Sequence, residues 1–318
     1  MSHDSPPPEV RSDPGLVFAR RESGDLLLDL YRPASGDRPV PVVLWLHGGG
    51  WFTGDRTLAP DLSRRVRATG CAVASVEYRL SGQALFPAQL HDVRSAIRFL
   101  RARAGEYGLD PRAVAVWGAS AGGHLAALAG LTGHLDALPG EEDTDGDPSV
   151  QAVAESYGPV DLAAVVAESA PPGGAAASPE ARLLGGPPSE RAELARHASP
   201  LTWVTPAAPP FQISHGTADT LVRPGQSELL HEALAAAGVP SELYLVEGYK
   251  HGFLNPAGRL DVRIARAMDD GRLADEGPAP AVRRAPDAPG GEPTTFGFDD
   301  VDAFLRRHLT GSTSGEPR

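Results

Sequence analysis

The chain has one cysteine, Cys71, among 318 residues, so it can form no intramolecular disulfide. The apolar setting Cys71-Ala72-Val73-Ala74 marks it as a buried packing residue rather than a redox group. Lysine is equally scarce: Lys250 stands alone, and 28 of the 29 basic residues are arginine. Acidic residues outnumber basic ones, giving a formal charge of −12, which argues against binding to nucleic acid or anionic lipid, since both require basic surface. No apolar run approaches the ~20 residues that a membrane-spanning helix needs. The opening residues Met-Ser-His-Asp-Ser-Pro-Pro-Pro have neither the basic nor the apolar region of an export signal, so a cytoplasmic protein is expected. With no Cys/His cluster and no H-E-x-x-H arrangement, neither a metal nor a cofactor is expected.

What the chain does have is 41% hydrophobic residues over this length, enough for one large core, and a single domain over residues 16–310 is expected. Residues 1–15 carry prolines without apolar periodicity and read as an unpacked tail, as do residues 311–318. Leu16–Phe18 and Leu26–Tyr31 read as strands of a hairpin turning at Gly24-Asp25. Val42–Leu46, Cys71–Val76 and Val114–Trp117 are short continuous apolar runs, the pattern of strands buried on both faces. Between Pro87 and Tyr107, Leu90, Val93, Ile97, Leu100 and Ala104 recur at helical spacing, with arginines on the other face. Further strands are expected at Val150–Ser156, Phe211–Ser214 and Leu243–Val246, and helices near Gln226–Ala237 and Asp299–Leu309. This alternation predicts an α/β fold, a mostly parallel sheet with helices on both faces. Two stretches interrupt it. Residues 159–205 suggest a small partial cap, and residues 255–295 read as an insertion that is either a lid or an unstructured loop.

The chemistry-bearing motifs sit at strand ends. A serine hydroxyl becomes a useful nucleophile when it is exposed, has a base to take its proton and faces donors for the resulting oxyanion. Gly118-Ala119-Ser120-Ala121-Gly122 follows a buried strand and opens a helix, the setting of a nucleophile elbow with Ser120 at its tip. His47-Gly48-Gly49-Gly50-Trp51 ends an earlier strand, where residues without side chains expose backbone amides. The amides of Gly49 and Gly50, with that of Ala121, are the candidate oxyanion hole, and Trp51 is a candidate substrate contact. Asp219 in His215-Gly216-Thr217-Ala218-Asp219 is the candidate acid and His251 in Tyr249-Lys250-His251-Gly252-Phe253 the candidate base. The chain order Ser, Asp, His fits this architecture.

Rivals exist for two of these roles. His47 and His215 also end strands beside glycine and read as hydrogen-bonded scaffold groups. Asp161 competes as the acid but reads as a loop cap. The acidic run Glu141–Asp147 alternates carboxylates as calcium loops do but lacks their later glutamate, and a solvated loop is the expectation.

These motifs resemble the hormone-sensitive-lipase-like carboxylesterases, more closely the small esterase and deacetylase branch of the α/β-hydrolases, from Leu26 to Phe253. The likeness is carried by HGGGW at 47–51, EYRLS at 77–81, FPAQLHDVRSAIRFL at 86–100, GASAGGHLA at 118–126, ASPLTWV at 198–204 and HGTADTLV at 215–222. The resemblance implies Ser120, Asp219 and His251 as triad, and Gly49, Gly50 and Ala121 as oxyanion hole. Without a long N-terminal cap no extended apolar tunnel for a fatty chain is expected, so short-acyl esters of alcohols, phenols or sugars are the expected substrates. An arylformamidase or amidase, a biosynthetic acyl transferase and a noncatalytic small-molecule receptor of the same fold are the alternatives. The chain departs from the resemblance in lacking the large N-terminal cap of many lipase-like members and in its lengthened segment at 255–295.

Overall fold

Strand β1 (Val10–Arg21) pairs antiparallel with β2 (Gly24–Pro33), with Arg21 opposite Gly24, so the hairpin turns on Glu22-Ser23 rather than on the expected Gly24-Asp25. The computed structural model describes residues 9–34, 36, 38–169, 173–258 and 265–310, and the expected tails at 1–8 and 311–318 lie outside them. Residues 10–15, expected in the tail, belong to β1, where Pro14 and Gly15 fall at a break in pairing. There follow β3 (Val40–Leu46), α1 (Leu62–Thr69), β4 (Ala72–Val76), α2 (Ala88–Ala102), α3 (Ala104–Tyr107), β5 (Leu109–Ala119), α4 (Ala121–Leu131) and β6 (Ala152–Ser156). A group of short helices comes next, α5 (Leu162–Ser169), α6 (Pro179–Leu184) and α7 (Ala192–His197), then β7 (Phe211–Gly216), α8 (Gly225–Ala236) and β8 (Ser241–Val246). The described chain ends with α9 (Arg272–Glu276), β9 (Ala279–Ala285), β10 (Ala288–Phe296) and α10 (Phe298–Thr310).

Among the described residues, ten strands form one sheet in the order β1-β2-β4-β3-β5-β6-β7-β8-β9-β10. The block from β4 to β8 is parallel, and antiparallel pairs close both ends. Alternate side chains of each central strand enter different cores. Val42, Leu44 and Leu46 of β3 pack with Val114 and Val116 of β5 under α2 and α4, and α8 covers β7 and β8 on the same face. Val43, Trp45, Ala115 and Trp117 face the opposite core with Val66 of α1 and Phe304 of α10. Helix α4 is buried along its whole length, which its Gly, Ala and Leu composition permits. Among the described residues no helix is long and apolar enough to cross a membrane.

Two expectations are corrected here. The described part of the 255–295 insertion is neither lid nor loose loop from residue 279 on, because β9 pairs with β8 and β10 with β9. Its small alternating residues Ala279, Ala281 and Ala285 are buried, a pattern that neighbouring arginines and prolines mask in the sequence. The acidic loop is not merely solvated: the Glu141 carboxylate is fully enclosed by Arg94, at 2.7 Å, and Arg98. The polar face of α2 is thus covered by that loop rather than by water. The short helices over 159–205 lean on the loop after β3. Arg182 of α6 lies 4.7 Å over the Phe52 ring of that loop, and Leu183 O accepts Phe86 N of the loop after β4 at 3.0 Å.

Candidate active site

Parallel strands deliver their following loops to one edge of the sheet, and the functional residues sit along that edge. Between β5 and α4 the chain reverses on Ser120, whose φ of 57° and ψ of −121° are strained for a residue with a Cβ. The turn is held by Ser120 N donating to Ser156 O at 2.8 Å and by His124 N donating to Ser120 O at 2.9 Å. It also depends on Gly122, where an added Cβ would stand 2.0 Å from Leu46 O. Helix α4 can begin this close to β3 only because that side chain is missing.

His251, in the loop after β8, brings Nε2 to 2.7 Å from Ser120 Oγ and Nδ1 to 2.6 Å from Asp219 Oδ2. Asp219 follows β7 and is buried, its Oδ1 accepting Leu221 N and Val222 N at 2.9 and 3.1 Å. Burial alone would raise the Asp219 carboxyl, but the charge on His251 and hydrogen bonds from His215 and His251 outweigh it and hold the group below the usual carboxylate range. The His251 ring meets the edge of Tyr157 at 4.9 Å. Its backbone is tied from the insertion: Asp269 N donates to His251 O and Lys250 N to Asp269 Oδ2, each at 2.8 Å.

The loop after β3 runs beside the serine, with the position of a Cβ on Gly48 only 3.3 Å from Ser120 Cβ. Gly49 has φ +108°, and a Cβ there would stand 2.2 Å from Thr53 O, so the position requires glycine. Among the described residues no acceptor takes the amides of Gly49, Gly50 or Ala121. His47 anchors this loop: its ring stacks on Tyr78 at 4.4 Å, and Nδ1 donates to Gly48 O at 2.7 Å. Burial lowers the His47 imidazole to about 4, so it stays neutral. Trp51, expected to touch substrate, instead has its indole buried, with Nε1 donating to His124 Nδ1 at 3.2 Å. The left-handed backbone at Trp51 turns the side chain into the protein.

The BD-FAE family model matches residues 28–234, about two thirds of the chain. The chain belongs to the BD-FAE family. Its curated relatives include the esterases LipQ and LipC of Mycobacterium tuberculosis, each 34% identical, over 251 and 231 residues. Those matches cover 77% and 71% of this chain but 58% and 57% of the relatives, so the chain spans little more than half their length. Among solved structures, a truncated carbohydrate esterase from gut microbiota is 29% identical with a TM-score of 0.66, covering 78% of this chain and 90% of that one. A propionate-bound thermophilic esterase, Est2 of Thermogutta terrifontis, is 26% identical with a TM-score of 0.61, covering 85% and 93%. The fold is that of the α/β-hydrolases, in the company of carboxylesterases.

The BD-FAE match takes in Ser120, Asp219 and the His47–Trp51 loop but ends before His251. The rivals fall elsewhere. His47 lies behind the loop it anchors, and Asp161 caps α5, its Oδ1 accepting Ala163 N and Ala164 N at 3.1 and 3.0 Å. His215 is nearer the centre than a scaffold group need be, with Nε2 3.3 Å from Asp219 Oδ2. Sequence reading missed Tyr157 and Asp269 altogether. A strand-end Tyr-Gly-Pro was the only hint of Tyr157, and nothing local marks Asp269.

Proposed function

We propose that the chain is a serine carboxylesterase that cleaves short-acyl esters through an acyl-enzyme. The observation that carries this reading is the row Ser120 Oγ, His251 Nε2 and Nδ1, Asp219 Oδ2, joined at 2.7 and 2.6 Å beside unfilled backbone amides. In the proposed reaction His251 takes the Ser120 proton as Oγ attacks the acyl carbon. The oxyanion rests on the amides of Gly49, Gly50 and Ala121, each worth ~10²–10³ in rate. Asp219, ionised well into the acid range, holds His251 in the tautomer with its proton on Nδ1 and stabilises the imidazolium that forms. His251 then gives its proton to the departing alcohol, and a water deprotonated the same way releases the acid.

The short-acyl preference is supported by the small helices over the loop after β3 and by the propionate- and butyrate-bound forms of the T. terrifontis esterase. The carbohydrate esterase likeness supports a sugar or other polyol as the alcohol. The test is turnover of p-nitrophenyl acetate, butyrate, octanoate and laurate by the protein and by its Ser120→Ala and His251→Ala variants, with fluorophosphonate labelling of Ser120. Turnover falling from acetate to laurate and lost in both variants is expected. Turnover that survives in Ser120→Ala rejects the reading. Labelling without turnover of any ester would transfer it to amides or acyl transfer.

A further inference from the structure

The loop that carries His251 is held by a turn of the insertion that follows it, beyond the residues that the BD-FAE model matches. The peptide between Tyr249 and Lys250 is gripped at both poles. Tyr249 O accepts the amide of Ala218, the residue before Asp219, at 2.9 Å, and Lys250 N donates to Asp269 Oδ2 at 2.8 Å. Beyond it, His251 O accepts Asp269 N at 2.8 Å, and an isolated parallel bridge pairs His251 with Met268. One residue of the insertion therefore holds the chain on either side of the His251 Cα, by its carboxylate before it and by its amide after it.

We propose that Asp269 is a positioning residue for His251: its carboxylate fixes the backbone from which the imidazole reaches both Ser120 and Asp219. This inference rests on reading those three residues as the working row. The imidazole must meet two short contacts at once, Nε2 to Ser120 Oγ at 2.7 Å and Nδ1 to Asp219 Oδ2 at 2.6 Å. Its partners stand on other elements, Ser120 between β5 and α4 and Asp219 after β7, so a tilt of the loop after β8 lengthens at least one of the two. The bond to Ala218 ties that loop to the acid. Asp269 ties it from the other side.

The carboxylate is itself held in place. Arg272 Nη1 donates to Asp269 Oδ2 at 2.9 Å and to Gly248 O at 3.1 Å, and its guanidinium lies 3.9 Å from the centroid of the buried Tyr249 ring. Tyr249 Oη and Arg272 Nε both donate to Glu276 Oε2, each at 3.0 Å. Close packing keeps the two turns together: a Cβ on Gly252 would stand 2.5 Å from Met268 Cε and 2.6 Å from Asp270 Oδ1. With the carboxylate removed, Asp269 N still has His251 O to bind. Lys250 N loses its acceptor, and the peptide before His251 is left to turn about its remaining bond to Ala218.

The experiment compares the parent with Asp269→Ala and with Asp269→Asn, whose amide oxygen can still accept Lys250 N. Below the Tm of each protein, kcat and KM for p-nitrophenyl acetate are measured beside the ¹H signal of the His251 Nδ1 proton, which a short bond to a carboxylate shifts far downfield. In Asp269→Ala, kcat is expected to fall about 10–100-fold, the cost of misplacing a reacting group by up to about 1 Å, with KM changed by less than about twofold. The Nδ1 signal is expected to move upfield or broaden away in the same variant. Asp269→Asn is expected to recover the signal, and kcat to within about threefold of the parent. A group serving stability alone would lower Tm in Asp269→Ala and leave kcat and the Nδ1 signal of the folded variant at parental values, and that result overturns the proposal. An asparagine variant as impaired as the alanine one overturns it too, since the acceptor would then not be what matters. Asp269→Ser, whose hydroxyl is too short to span to Lys250 N, repeats the alanine test should that variant not fold. The Nδ1 signal needs no turnover, so a parent that cleaves no ester rejects the esterase reading, while loss or survival of the signal in Asp269→Ala still decides this one.

Discussion

Placing a methyl group on Gly122 tests how the serine turn is held. The added Cβ would stand 2.0 Å from Leu46 O, 2.5 Å from Leu46 C and 2.6 Å from His47 O, all backbone atoms that no rotamer change can clear. Since Cβ contacts under 3.0 Å are essentially never found, the start of α4 must retreat from the end of β3 by about 1 Å. Overpacking of this kind costs about 1–3 kcal/mol, which corresponds to a Tm lower by roughly 2–10 °C in a domain of this size. The effect on turnover is larger, because Ser120 precedes the displaced turn while His251 and the Gly49–Gly50 amides stay on other elements. A misplacement of about 1 Å among reacting groups costs about 10²-fold, so Gly122→Ala is expected to lose about that factor in kcat on p-nitrophenyl acetate. Gly105→Ala, where a Cβ meets nothing within 4 Å, is the control and is expected to match the parent in kcat with equal or slightly higher stability. Parental kcat and Tm in Gly122→Ala would mean that α4 slides freely over β3, and the close-contact argument would be wrong.

Asp219→Asn presents an amide donor to His251 and favours the wrong imidazole tautomer, so kcat on the same ester should fall by ~10⁴ with little change in KM. Because the Asp219 pKa lies below its ordinary 3.8, its ionised form contributes stability that is complete above that value and lost as pH falls through the folded pKa. In urea titrations the stability gap between parent and Asp219→Asn should therefore hold from pH 8 to 5 and shrink below pH 4, and a gap widening with acid would contradict the linkage. Glu141→Gln leaves Arg94 and Arg98 buried without their shared carboxylate and is expected to cost about 3–5 kcal/mol in urea unfolding; a loss under 1 kcal/mol would show that water reaches the pair. Deleting residues 258–294 removes β9, most of β10 and Asp269, bares the edge of β8 and should give aggregated protein by gel filtration. A monodisperse deletion variant would show instead that the hairpin is dispensable.

The parallel block was legible because its strands are written as uninterrupted apolar runs. Val42–Leu46 and Val114–Trp117 lie inside β3 and β5, and the helix read over 87–107 falls on α2 and α3. The strand-end motifs were legible for a related reason: a turn such as Gly118–Gly122 and a loop such as Gly48–Gly50 need small residues in sequence order, and local steric demands leave local marks. Strand β1 was read short because Pro14-Gly15 looks like a breaker, and only the pairing to β2 shows that an edge strand tolerates it. The β9–β10 hairpin was missed because its buried positions are filled by alanine, whose weak hydrophobic signal is swamped by Arg283, Arg284 and Asp287. Contacts that join distant positions left no mark at all. Nothing near Asp269 announces that it will bind the Lys250 amide.

Among the described residues, the three non-glycine positions with positive φ, Trp51, Ser120 and Tyr157, all stand in connections leaving the carboxyl ends of β3, β5 and β6. Each such conformation costs on the order of 1–3 kcal/mol, so this rim is the least relaxed part of the backbone. A programme to make the protein sturdier should therefore leave the rim alone, even though its strained positions look like the easiest gains. Relaxing Tyr157 would loosen the ring that flanks His251, and relaxing Ser120 would flatten the turn that offers its hydroxyl. Helix caps, surface positions of α1 and α10 and the outer hairpins are where added stability should come without lost rate.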